Sequence, residues 1–121
     1  MILAFKGKQP EIDNSCFIAP SADVIGEVVM GPSSSVWFNA TVRGDDAPVH
    51  IGKGSNIQDN AVVHCSIGLP TSIGDHVTIG HGAIIHSCTI GDGCLIGMGS
   101  IILDEAVLAK ETLVGAGSLI P

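Results

Sequence analysis

An aliphatic residue recurs every six positions along most of this chain, and that interval constrains the fold more than any other feature. From Ile18, steps of six reach Val24, Met30, Val36 and Val42. The register restarts at Ile51, Ile57 and Val63, again at Ile73, Ile79 and Ile85, and then runs through Ile90, Ile96, Ile102, Leu108, Val114 and Ile120. A helix, repeating near 3.6 residues, would scatter these side chains around its circumference, and a flat strand, repeating at two, needs no small residue every six. Gly often follows the aliphatic residue, as in IGKGSN, IGDHVT, IGDGCL and VGAGSL. A triangular coil accounts for both features. Three hexads make a turn of about 18 residues, the aliphatic side chains point inward, and Gly supplies backbone freedom at the corners. Turns stacked about 4.8 Å apart leave ladders of Ile and Val as the core. The sequence therefore predicts an all-β fold, a single-stranded parallel β-helix of hexapeptide repeats.

Composition agrees. Only 3% of the residues are aromatic and 16 of 121 are Gly, so Ile and Val, which suit strands, must fill the interior. With 45% hydrophobic and 14% charged residues, the chain is too apolar for a disordered tail. Gly, Asp, Ser or His interrupts every apolar run short of the ~20 residues a spanning helix requires, so no membrane partner is expected. The start, MILAFKGKQP, holds too short an apolar stretch for a secretion leader. A single cytoplasmic domain over residues 1–121 is expected, with 1–17 as an irregular lead-in turn. A net charge of −7 with five Lys and Arg argues against a nucleic-acid partner, whose phosphates need cations. Cys16, Cys65, Cys88 and Cys94 form no C-x-x-C pair and read as small buried side chains rather than a disulfide framework.

The interruptions of the repeat carry the functional signal. With the three faces of the prism labelled A, B and C from Ile18, Val42, Val63 and Ile85 fall on face B, and Ile51, Ile73 and Ile90 on face C. The steps of nine, ten and five residues thus all occur at the B–C corner of three successive turns. Random decay would scatter them; interruptions stacked on one edge predict a site. His64 follows Val63 and His86 follows Ile85, so both take the same outward position one turn apart. A separation of about 5 Å suits two imidazoles that share one metal ion. His81 follows Ile79 by two places on face A, and an odd separation from His86 turns its side chain away. It can reach the pair only on a neighbouring chain, so the register predicts a homotrimer with metals between subunits. Arg43 takes the position of His64 one turn earlier, Asp59 that of His81 one turn earlier, and Asp45, Asp46 and Gln58 lie close in sequence. Trp37 reads as a packing residue, and His50 and His76 as surface residues that offer alternative proton carriers.

The segments VRGDDAPVHIGKGSNIQDNAVVHCS and IGDHVTIGHGAIIHSCTIGDGC, with their N-I-Q-D-N…V-H and G-H…H motifs, resemble the γ-class carbonic anhydrases of the hexapeptide-repeat superfamily over roughly residues 11–121. The resemblance implies a left-handed β-helix and a lyase that hydrates CO2 reversibly to bicarbonate with a metal-bound hydroxide. It implies His64, His81 and His86 as the metal ligands, with Zn²⁺ as the metal and Fe²⁺ or Co²⁺ able to replace it. It further implies that Arg43 pairs with Asp59 between subunits, that Asp45 aids the trimer contacts and that Gln58 lies beside the metal-bound solvent. The loop Cys65–Ser72, CSIGLPTS, departs from the family pattern: it lacks the acidic proton-carrying residue of active members and resembles chains whose anhydrase activity is weak. The family's C-terminal capping helix has no counterpart here.

Two other classes of function stay open from the sequence. Hexapeptide-repeat enzymes also include acyltransferases that use coenzyme A with a single interfacial His, and a metal-bound hydroxide could hydrolyse a thioester. A metal-binding or assembly subunit without turnover is the third reading. The glycines follow the six-residue interval and form no G-x-x-x-x-G-K-[ST] phosphate loop.

Overall fold

In the computed structural model, which describes residues 1–121, the chain forms seventeen short strands and no helix. Neighbouring strands pair in parallel at the register the six-residue interval predicts. Face A is a six-stranded sheet whose inward ladder is Ile18, Val36, Ile57, Ile79, Ile96 and Val114. Face B stacks Val24, Val42, Val63, Ile85, Ile102 and Ile120. Face C stacks Ile12, Met30, Ile51, Ile73, Ile90 and Leu108. Ile51, Ile57, Ile73, Ile79 and Ile85 are fully buried, and each removes most of a side chain from water, an effect of about 1.5–3 kcal/mol apiece. Two residues before five of the six face-B ladder positions stands a buried small side chain, namely Ala22, Ala40, Ala61, Ala83 or Ser100.

Faces B and C differ from the simple three-sided prism. Strands Asp23–Met30 and Thr41–Ile51 run unbroken round the B–C corner, so the two faces join into one eleven-stranded sheet. The register between these strands shifts between Gly26 and Val28, where the longer strand accommodates its extra residues. Residues 1–17 also do more than lead in. Ile2 pairs with Val24 and Ile12 with Met30, so the first turn supplies rungs to both faces and carries its own ten-residue step at the B–C corner. That step holds a tight hairpin in which Phe5 and Lys8 exchange backbone hydrogen bonds of 2.9 Å. Its two central residues, Lys6 and Gly7, have φ of 49° and 76°, the left-handed pair that a short hairpin turn requires. Ser66 and Leu69 form a matching bridge in the loop Cys65–Ser72.

Of the cysteines, Cys65, Cys88 and Cys94 are buried, and Cys16 is half-buried. Trp37 packs on the surface rather than in the core. Its ring centroid lies 4.9 Å from that of Phe17 and 6.3 Å from that of Phe38, and its indole N–H donates to the Ser35 hydroxyl at 2.9 Å.

Candidate metal centre

Strands Val62–His64 and Ile84–His86 put His86 directly over His64 in register, and the two imidazole centroids are 5.2 Å apart in an edge-to-face arrangement. The inward residues Val63 and Ile85 anchor both strands in the core, so the alternation of side chains turns both rings outward on face B. The pair is held from below as well. The Thr71 hydroxyl donates to the His64 carbonyl at 2.6 Å and accepts from the Ser87 N–H at 2.9 Å. The Ser87 hydroxyl donates to the Leu69 carbonyl at 2.8 Å and accepts from the Ser66 N–H at 2.7 Å. The loop Cys65–Ser72 is thereby tied to the backbone of both histidine strands.

Each of the three histidines singled out by the sequence faces a carboxylate. His64 Nε2 lies 2.7 Å from Asp45 Oδ1 and 3.8 Å from Asp46 Oδ2. His81 Nδ1 lies 3.3 Å from Asp59 Oδ1, and His86 Nδ1 lies 2.6 Å from Asp104 Oδ1. A carboxylate accepts only, so a neutral ring carries its proton on the nitrogen that faces it and its lone pair on the other. His86, hydrogen-bonded through Nδ1 to Asp104, therefore presents a free Nε2, in the carboxylate–histidine arrangement that orients metal ligands, whereas Asp59 lies near His81 without a hydrogen bond to it. His64 has the opposite polarity: its Nε2 faces Asp45.

Asp45 is 12% exposed. Burial pushes its carboxyl up, but the His64 ring and the Arg43 guanidinium outweigh that and hold it below the usual carboxylate range. Arg43 contacts Asp45 within the chain, and Asp59 contacts His81, so the expected Arg43–Asp59 pairing is not made inside one subunit. Asp104 is likewise held low, first by the Ser66 hydroxyl and then by the His86 ring. Asp104 and the Thr71–Ser87 network escape motif-based reading. The available signal was Asp104's place on the turn after His86, two residues beyond inward Ile102.

His81 does not join the other two rings. It is 57% exposed at the A–B corner, where it lines a hollow with Gln58, Asp59, Asn56 and Trp37. Gln58 is thus grouped with His81 rather than with the His64–His86 pair. The single-chain group of donor atoms that does lie within 4.8 Å of one another is Asp45, His64 and Cys65. Cys65 is a poor ligand there, because its buried thiol is pushed up by desolvation and donates to the Ala47 carbonyl at 3.1 Å. A ligand-competent thiol must lose that proton. His50 sits exposed on face C, paired in register with Ser72, and His76 sits exposed in a corner turn beside Gly54. Neither belongs to the face-B pair.

Comparison with known proteins places these residues in a family context. The family model described as bacterial transferase hexapeptide (six repeats) matches residues 70–104. A carbonic anhydrase of Geobacillus kaustophilus is 50% identical over 120 residues, spanning 99% of this chain and 56% of that protein. The mitochondrial gamma carbonic anhydrase 2 of Arabidopsis thaliana is 47% identical over 119 residues, spanning 93% of this chain and 43% of that protein. The chain spans about half the length of these curated relatives. The crystal structure of a hexapeptide transferase family protein from Anaplasma phagocytophilum superimposes with a TM-score of 0.96 at 42% identity, over 99% of this chain and 70% of that one.

Proposed function

We propose, from the premise that this chain belongs to the hexapeptide-repeat family and to its γ carbonic anhydrase-like members, that it is a metal-dependent carbonic anhydrase, interconverting CO2 and bicarbonate. The ligands in this reading are His64 and His86 of one chain and His81 of a neighbouring chain in a homotrimer. The observation that carries it is the register of His86 on His64, with ring centroids 5.2 Å apart on a face that His81 of the same chain does not share.

The donor set fits a divalent ion of borderline softness. Neutral imidazoles suit Zn²⁺, Fe²⁺ and Co²⁺, the His86 ring offers a free Nε2, and three carboxylates beside the rings favour positive charge. Such an ion, when bound, supplies the Lewis acidity that makes a coordinated water acidic near neutral pH. The chain's own groups do the rest. Asp59 puts a carboxylate oxygen 3.3 Å from His81 Nδ1. Gln58, on the same hollow, offers an amide that can both donate to and accept from a reacting oxygen. Arg43 offsets the charge of Asp45 beside His64. Val62 and Ile84, exposed and stacked two residues before the histidines, give an apolar surface that a neighbouring chain would cover.

Stopped-flow CO2 hydration on zinc- and iron(II)-loaded protein tests the reading, together with native mass and metal content. A trimer with one ion per chain and hydration at least about tenfold above His64→Ala supports it. Activity equal to that of His64→Ala overturns it and leaves a metal-binding or assembly subunit.

A further inference from the structure

Asp104 lies in no motif, yet it touches a ring of the proposed centre. Its Oδ1 accepts from His86 Nδ1 at 2.6 Å, and its Oδ2 accepts from the Ser66 hydroxyl at 2.7 Å. These contacts come from different turns: Asp104 follows Ile102, one turn beyond His86, and Ser66 stands on the loop that follows His64. Ser66 is itself fixed, through its N–H, to the hydroxyl of Ser87, the residue next to His86. A lone surface ion pair leaves both partners free to rotate and contributes little. Here both carboxylate oxygens are committed, so the carboxylate plane is set and the imidazole plane follows it.

We infer that Asp104, clamped by Ser66, is a positioning residue that fixes His86 as the Nδ1–H tautomer with Nε2 presented to the metal. This rests on the reading of His86 as a ligand. Free imidazole side chains in water favour the other tautomer, with the proton on Nε2, and that form has no lone pair where the metal would sit. The inference also gives the short loop Cys65–Ser72 a role: it carries the hydroxyl that holds the carboxylate.

The test reads histidine tautomers in the metal-free protein by two-bond proton–nitrogen correlation, and zinc affinity by competition with a chelator. The wild-type His86 ring is expected to carry its proton on Nδ1. Asp104→Ala shifts the proton toward Nε2 and weakens zinc binding about 10–100-fold, the loss typical of removing such a partner. Asp104→Asn keeps an acceptor oxygen and falls between Ala and wild type. Ser66→Ala moves both readouts the same way by less, and with Asp104→Asn it decides the question if Asp104→Ala does not fold. Wild-type tautomer and wild-type affinity in these variants, with zinc binding lost in His86→Ala, overturn the inference alone. Unchanged affinity in His86→Ala overturns the ligand reading and this inference with it.

Discussion

The backbone of Gly44 passes so close to Glu27 that a β-carbon at Gly44 would stand 2.8 Å from the Glu27 carbonyl carbon, and closer still to its oxygen. Strands Asp23–Met30 and Thr41–Ile51 turn the B–C corner together at this point, and the corner carries Arg43 and Asp45 on either side of Gly44. Gly44→Ala should cost about 1–3 kcal/mol of stability, the usual range for forcing atoms into a filled site. Gly115→Ala is the control. A β-carbon there meets nothing nearer than the Ser118 hydroxyl at 3.8 Å, so the change should stay within about 0.5 kcal/mol. Urea unfolding of both variants checks the contrast, and equal midpoints would show that the close approach relaxes freely.

The ladders should respond unequally to truncation. Ile79 is fully buried between Ile57 and Ile96 on face A. Its truncation in Ile79→Ala removes apolar contacts to the turns on both sides and leaves a void, at a cost of about 2–5 kcal/mol. Leu113, on the last face-A strand, is 72% exposed, and Leu113→Ala should fall within about 0.5 kcal/mol. Thermal or urea denaturation of the two variants measures the difference.

Residues whose placement follows from the interval alone were legible in the sequence, and residues placed by loop geometry were not. Ile57, Ile79 and Ile96 could be stacked from spacing because one aliphatic per hexad faces inward on every turn. Ile2 and Ile12 escaped that reasoning. Their ten-residue separation has no earlier turn to set its phase, so a hairpin at Phe5–Lys8 looked like an irregular start. His64 and His86 stood out because each immediately follows a ladder residue. Asp104 did not, because LDEA reads as an ordinary polar turn and only the three-dimensional path of the loop from Cys65 to Ser72 brings Ser66 to it. Side-chain hydrogen bonds between corners depend on where loops fold back, which a six-residue period does not encode.

Burial pushes the Cys88 thiol up to about 11 from its ordinary 9.0. In the unfolded chain the thiol ionises near its ordinary value, while the folded protein holds the proton. The unfolded state therefore binds fewer protons between pH 9.0 and about 11, and stability falls as pH rises through that window. Below it the contribution is fully present. Cys88→Ala should show a shallower alkaline loss of stability than wild type, whatever its stability at pH 7. Urea midpoints at pH 7, 9 and 10 (about one unit apart in the steep region) check the slope. Parallel slopes in the two proteins would assign the alkaline loss to other groups.

The proposed division of ligands between chains can be tested without any activity. His64→Ala removes a ligand from the face-B pair, and His81→Ala removes the corner ligand, so neither variant alone completes a three-histidine set. In a mixed trimer, a His81→Ala chain contributes intact His64 and His86 while a His64→Ala neighbour contributes His81. Random assortment of equal amounts around a three-fold ring makes about a quarter of the interfaces whole. Unfolding and refolding the two variants together should therefore restore tight zinc binding to about that fraction of chains, while each refolded alone stays near zero. Zinc content after gel filtration reads the result directly. If the mixture binds no more zinc than the separate variants, the three histidines do not meet across a subunit boundary. The apolar row of Val62 and Ile84 beside them would then need another occupant.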